Sequence, residues 1–269
     1  MGSTPQAGNL SCVFSIEIEG PVARVTLANP QRRNALSLEL MQRLTHALHE
    51  LGEKTDVGAI VIAAEGPAFS AGHDLSEMVD RDGQFYDELF EACTHLMDAV
   101  HAAPQPVIAE VDGVATAAGC QLVAACDLAV ASTGSTFATP GVRIGLFCST
   151  PMVPISRAVG RKRAMEMLLT GEPIDAATAA EWGLVNRVVP PDQLRAATNE
   201  LAAQITRFSD HTIAIGKQAF YRQLDCGEPE AYELTREVMA ANAATDDAQE
   251  GIDAFLTKRS PSWSGRQGR

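Results

Sequence analysis

The chain has 269 residues, 46% of them hydrophobic, enough for one large domain with a substantial core or one domain with a helical appendage. Its 21 Lys plus Arg stand against 34 Asp plus Glu, a formal charge of −13, which argues against a nucleic-acid partner, since phosphate-backbone binders rely on clustered cations. No apolar run approaches the roughly 18 residues that suggest a membrane span, so no membrane association is expected, and residues 1–6 lack the pattern of a secretory or myristoylation signal.

Phe14, Ile16 and Ile18 alternate with polar residues and predict a strand; Gly20-Pro21 turns the chain, and Ala23, Val25 and Leu27 alternate with Arg24 and Thr26 in a paired second strand. Residues 29–34 form a loop whose adjacent Arg32 and Arg33 read as a solvated basic corner or as a local anion contact. Ser37 is a good N-cap for a helix that buries Leu40, Leu44, Leu48 and Leu51. The almost wholly apolar run 59–63 reads as a strand covered on both faces.

Two stretches follow that organise the rest, 69–75 (Phe-Ser-Ala-Gly-His-Asp-Leu) and 116–122 (Thr-Ala-Ala-Gly-Cys-Gln-Leu). Each puts small residues where a strand gives way to a helix, so N–H groups that no helical carbonyl can accept are free to point at a ligand. Together they read as two halves of an oxyanion hole.

Between them, the polar segment 78–87 predicts a mobile surface, 88–101 a helix ended by Pro104 and Pro106, and 107–111 a strand with Asp112-Gly113 as its turn. The second stretch opens a short helix over 117–126 that runs into strand 128–131, and the order implies stacked strand-helix units. After residue 149 the chain turns helical, near 161–169, 176–182, 192–205, 212–224, 228–243 and 248–258. The alanine-rich helices outside the sheet are expected to meet another subunit, and the polar tail from Ser260 to fray.

The cysteines, Cys12, Cys93, Cys120, Cys126, Cys148 and Cys226, are scattered without a C-x-x-C pair and read as reduced thiols in a cytoplasmic compartment. His46 and His49 are i, i+3 with no carboxylate at ligand spacing, and His95 and His101 are not i, i+4, so no metal site is expected. Neither G-x-S-x-G nor G-x-G-x-x-G occurs in a form that suggests a serine hydrolase or dinucleotide site.

At Ala71-Gly72-His73-Asp74-Leu75, and again at Ala118-Gly119-Cys120-Gln121-Leu122 with Asp127 closing the segment, the sequence resembles the crotonase (enoyl-CoA hydratase/isomerase) superfamily. The likeness continues in order through residues 164–171, 182–185 and 255–259, and so covers about 13 to 260. It implies an α/β fold: a crotonase-type repeated β-β-α superhelical core over 13–205, a C-terminal helical oligomerisation region over 206–260, and flexible tails at 1–12 and 261–269. It further implies an acyl-CoA thioester as the partner, coenzyme A entering as part of the substrate with no separate cofactor, and a homotrimer or homohexamer.

By the family's pattern the oxyanion donors are the backbone N–H groups of His73 and Ala118. The pantetheine arm would run along Arg33, Asn34 and Ala35 and along the backbone of Ala71, Gly72, Asp74 and Leu75, with Gly119 beside it. Arg33 and Lys258, the latter from the same or a neighbouring subunit, are the candidates for the CoA phosphates. Such a pair of donors suits the thioester oxygen of an enolate, the common intermediate of proton removal, addition to the α,β double bond and loss of an α-carboxylate.

Family hydratases carry one glutamate after the Gly-Cys pair and another after the proline of the next loop; here those positions are Gln121 and Gly141. A glutamine can orient a water but cannot take its proton, and glycine offers no group. Other branches place acid/base groups further along the same loop, here Cys148 and Ser149; Cys148 would act if the pocket lowered its pKa, and otherwise packs as a small buried residue. His73 would serve as a base unless its backbone is the donor, in which case its ring points away. The implied function is a nominal enoyl-CoA hydratase/isomerase of fatty-acid or related acyl-CoA metabolism, with a decarboxylase or isomerase, or a non-catalytic acyl-CoA scaffold or sensor, as alternatives.

Overall fold

The computed structural model describes residues 13–264. Strands β1 (Phe14–Glu19) and β2 (Val22–Leu27) form an antiparallel hairpin, and helix α1 (Leu38–Gly52) follows. The Ser37 hydroxyl accepts from the Leu40 N–H, so the expected cap is in place. Three similar units then succeed one another. The first is β3 (Ala59–Ala64), β4 (Ala68–Ser70) and α2 (Gly83–Ala102); the second is β5 (Val107–Val111), β6 (Val114–Thr116) and α3 (Ala118–Ala125); the third is β7 (Leu128–Ser132), β8 (Thr136–Ala138) and α4 (Met152–Val159).

In each unit the first strand joins a large sheet and the second a small one. With α5 (Arg161–Thr170), β9 (Ile174–Asp175), α6 (Ala176–Trp182) and β10 (Arg187–Val189) added, the sheet orders are β1-β2-β3-β5-β7-β10 and β4-β6-β8-β9. This is the repeated β-β-α architecture that the resemblance implied.

The main core lies between the sheets and under α1 to α3, where Leu44, Leu48, Ile60, Ile62, Phe69 and Phe137 are buried. The opposite face of the large sheet is covered too: Ala59, Val61, Ile108 and Val130 pack against Leu201 and Ala202 of α7 (Leu194–Thr206). A sheet buried on both faces needs strands apolar on both, which explains the unbroken apolar run in β3. On that second face Arg24 is 5% exposed, and it is held by Glu110 at 2.8 Å and Asn199 at 2.7 Å. A buried guanidinium persists there because its charge is paired.

Helices α8 (Asp210–Leu224), α9 (Glu228–Ala243) and α10 (Asp246–Thr257) complete the chain. Lys217 of α8 is a buried anchor, donating to the carbonyls of Val100 and Gln105 at 2.8 and 2.9 Å and pairing with Asp127 at 2.7 Å. Beyond it the helices project: α9 buries none of its residues, and Tyr232, Phe255 and Leu256 are each at least 70% exposed.

Several expectations are corrected. The segment 78–87 is not simply a mobile surface, because Asp82 accepts from the Phe85 N–H and starts α2 at Gly83. Helix α4 is an addition to the expected helices: it has only eight residues, and Pro154 within them hides its pattern. The tail from Ser260 is tied down as far as it is described, with Trp263 donating to the Arg207 carbonyl at 2.9 Å and the Ser264 N–H to Asp247 at 2.8 Å. Cys12, the expected tail 1–12 and residues 265–269 lie outside the described residues. No described helix is long and apolar enough to cross a membrane.

Candidate active site

The parallel pairing of β4 with β6 sets Ser70 beside Ala115, and so brings the bend that follows each strand to the same place. The contact between the bends leaves no room for side chains. Gly72 has φ +87°, and a methyl on it would lie 2.9 Å from the Ala117 Cβ and 3.1 Å from the Ala118 nitrogen. A methyl on Gly119 would lie 2.3 Å from the Ser70 carbonyl oxygen. These glycines are buried where the bends touch, and neither lines the cavity beyond.

The first bend is laced to the loop before α1. Fully buried Asn34 donates to the carbonyls of Glu65 and Ala68 at 2.9 and 2.8 Å, and the Ser70 hydroxyl donates to the Asn34 carbonyl at 2.8 Å. The Ala71 N–H donates to the Arg33 carbonyl, and the Leu36 N–H to the Gly72 carbonyl. Sequence reading placed Asn34 along the ligand and gave Ser70 no role. No local signal marked Asn34 for this role, because the carbonyls that it clamps lie 31 and 34 residues further along the chain. At the second bend Ala117 adopts φ 49° and ψ −118°, with its N–H held by the Ala138 carbonyl at 2.9 Å.

The N–H of Ala118 belongs to the first turn of α3 and has no intrahelical acceptor. Among the described residues neither it nor the N–H of His73 meets a protein acceptor, and both residues line one cavity of about 710 Å³. Ala35, Ala71, Asp74 and Leu75 form one wall of that cavity, and Gly141, Cys148 and Ser149 stand in the other. Arg33 does not line it. The cations at the wall are Arg32, which is paired with Asp74, and Arg143, which is paired with Glu172. Lys258 ends α10 with φ 56° and also lies off the cavity wall.

Partial burial pushes the Asp74 carboxyl up, but the hydroxyl and N–H of Ser76 and the Arg32 guanidinium outweigh it and hold the group below the usual carboxylate range. Burial lowers the pKa of His73 to about 4, an effect that the nearby Leu36 backbone only tempers. Neither ring nitrogen has a hydrogen-bond partner, and the ring stands edge-on to Phe90 at 5.4 Å. The imidazole is therefore neutral, and its nitrogens face protein rather than the cavity.

Cys148 is 7% exposed and burial raises its pKa, with a backbone contact to Gly141 opposing. The pocket thus stabilises the thiol, so of the two readings of Cys148 the one that agrees with this burial is the small buried residue, and the condition for an acid/base role, a lowered pKa, is not met. The Ser149 hydroxyl reaches only the Phe147 carbonyl, at 3.4 Å.

At the two glutamate positions the geometry is unambiguous. A Cβ on Gly141 would lie 2.0 Å from the Leu146 carbonyl oxygen and 2.8 Å from the Cys148 sulfur, so this loop admits no side chain there. Gln121 is 3% exposed and is turned away: its Oε1 accepts from the Cys93 thiol at 3.6 Å, and it lines a second cavity of about 370 Å³. Burial pushes the Cys93 thiol up to about 12, so the donor in that contact is an S–H. The first cavity can therefore supply two backbone donors to an anionic oxygen, while Asp74, neutralised by Arg32, is its one carboxylate among the described residues.

Comparison with known proteins agrees with this architecture. The sequence profile described as enoyl-CoA hydratase/isomerase matches residues 17–266. A mouse protein named enoyl-CoA hydratase domain-containing protein 3, mitochondrial, is 49% identical over 267 residues, covering 98% of this chain and 89% of the relative. A solved enoyl-CoA hydratase of Mycobacterium smegmatis superposes with a TM-score of 0.91 at 46% identity, over 93% of this chain and 98% of that one. The solved human enoyl-CoA hydratase domain-containing protein 3 gives 0.90 at 47% identity, over 93% and 100%.

The expected cytoplasmic compartment is overturned by these relatives, since the mouse protein and its human counterpart are named mitochondrial. Profile, sequence relatives and superposed structures all span the β-β-α core, and the chain belongs to the enoyl-CoA hydratase/isomerase family, with the crotonase fold.

Proposed function

We propose that this protein binds an acyl-CoA thioester in the larger cavity and stabilises the enolate form of its acyl group through the N–H groups of His73 and Ala118. The observation that carries the reading is that these two N–H groups lack protein acceptors and belong to the wall of one cavity. The pantetheine arm lies along Ala35, Ala71, Asp74 and Leu75, with Arg32 and Arg143 in place of Arg33 as the cations at the cavity wall. The reaction is enolate chemistry that does not use a glutamate pair, such as isomerisation or decarboxylation. Hydration is disfavoured because Gly141 admits no side chain and Gln121 faces another cavity. The same observation favours a second reading, a non-catalytic acyl-CoA scaffold. The apolar surface of α9 and α10 supports assembly of a homotrimer or homohexamer, in which Lys258 reaches the CoA phosphates of a neighbour.

The test is calorimetric titration with acyl-CoAs together with turnover assays on 2-enoyl, 3-enoyl and α-carboxyacyl thioesters. Binding in the micromolar range, negligible hydration of crotonyl-CoA and turnover of another ester are expected. Ala118→Pro removes one donor at a helix position that tolerates proline, and should lower turnover by about 10²–10³ with the helical circular dichroism retained. Binding without any turnover selects the scaffold, and absence of acyl-CoA binding rejects both readings.

A further inference from the structure

The turn that carries the chain from α2 into β5 holds a buried amide with one side unsatisfied. Gln105 is 6% exposed, and its Nε2 is shared among the carbonyls of Leu51, Gly52 and Lys54, at 3.1, 3.4 and 3.3 Å, where α1 ends. Three acceptors around Nε2 fix which way the amide is turned, and Oε1 is left without a hydrogen-bond partner. Buried amide oxygens are ordinarily satisfied, so this one points to a ligand. Gln105 lines a cavity of about 160 Å³ bordered by the end of α1, the turn at 104–106 and the start of α8, and it shares no residue with the thioester cavity.

The wall of this cavity is short of donors. The N–H groups of Glu53, Lys54, Val57 and Gly58 are already given to the carbonyls of His49, Leu51, Lys54 and Pro21. Pro104 and Pro106 have no N–H to give. Charge runs the same way: Glu53 and Asp210 stand in the wall with Lys54 as the single basic residue, beside the carbonyl end of α1, where the helix dipole is negative. The surplus of a single carboxylate balances one positive charge and falls short of two, and among the described residues no group of three or more His, Cys, Asp or Glu could hold a metal ion.

We propose that this cavity binds a potassium-sized monovalent cation, with Gln105 Oε1 as the anchoring oxygen and the carboxylates of Glu53 and Asp210 supplying the balancing charge. The ion joins α1 to α8 through Gln105, whose own carbonyl accepts from Lys217 of α8 at 2.9 Å. Its role is structural: it fastens the C-terminal helices to the β-β-α core, and the thioester cavity takes no part.

Crystals of the unmodified protein soaked in rubidium chloride test this, since rubidium replaces potassium and is located by its anomalous scattering. A peak in contact with Gln105 Oε1 is expected; no peak, or a water only, overturns the proposal. In solution, potassium chloride in place of choline chloride at equal ionic strength should raise the thermal unfolding midpoint by about 3 °C, because an ion bound by the folded state alone stabilises it. Gln105→Met keeps the length of the side chain but removes the oxygen, and the rise should vanish there. Equal midpoints in the two salts, or a potassium response that survives in Gln105→Met, overturn the proposal, and a rubidium peak without any response in solution is binding at crystal concentration only and overturns it too. The two experiments on the unmodified protein decide the question even where the variant fails to fold.

Discussion

The two bends perform one task with different backbones. At the first, Gly72 takes φ +87°, a conformation glycine adopts at little cost. At the second, Ala117 holds φ 49° with ψ −118°, a region that is nearly glycine-only and costs an L-residue about 1–3 kcal/mol. The first bend is clamped through Asn34 and Ser70 by side-chain hydrogen bonds. The second is held by β8, through the Ala138 carbonyl, and by its fit against Gly72. The contrast teaches that the position of an N–H group is set by the packing of both bends together, because neither local sequence would hold it alone.

The largest effect should come from forcing the bends apart. Gly119→Ala puts a methyl 2.3 Å from the Ser70 carbonyl oxygen, a contact that only backbone movement can relieve. A loss of about 3 kcal/mol in urea denaturation is expected, with acyl-CoA affinity falling in parallel. Unchanged stability and affinity would show that the bends are not in firm contact.

An intermediate effect belongs to the first bend. The folded-state pKa of His73, about 4, lies below its ordinary 6.5, so the unfolded chain binds the proton more tightly. This contribution to stability is full above the ordinary value and is lost as pH falls toward the folded one. Between pH 7.5 and pH 5 the loss is about 2 kcal/mol. Denaturation curves at both pH values should show that slope in the parent and a flatter one in His73→Leu; identical slopes would mean that the ring is solvated.

The smallest effect tests the second bend. Ala117→Gly relieves the backbone strain but adds the entropic cost of glycine, for a net gain of about 1 kcal/mol in denaturant midpoint analysis. A loss instead would show that the Ala117 methyl, packed beside Gly72, contributes more than the strain costs.

Legibility in the sequence followed the range of the interactions. The leucine face of α1 and the cap at Ser37 were readable because helix periodicity and capping are local. The strands β4, β6 and β8, at three residues each, are too short to show alternation, and the small sheet they form emerged only in three dimensions. For the site, the two stretches and the missing glutamates were visible as residue types. The exchange of Arg33 for Arg32 at the cavity wall was not, because a turn at φ 51° decides which adjacent side chain faces inward.

The sequence by itself determined the β-β-α family and the lack of carboxylates at positions 121 and 141, since each is a matter of which residue occupies which place in an ordered pattern. Only the tertiary structure decided that Gly141 is sealed beneath the Leu146 carbonyl, that Cys148 stays a thiol and that Gln121 looks into a separate cavity. Those outcomes depend on burial and on contacts between segments distant in sequence, and desolvation and steric exclusion leave no mark on local residue order.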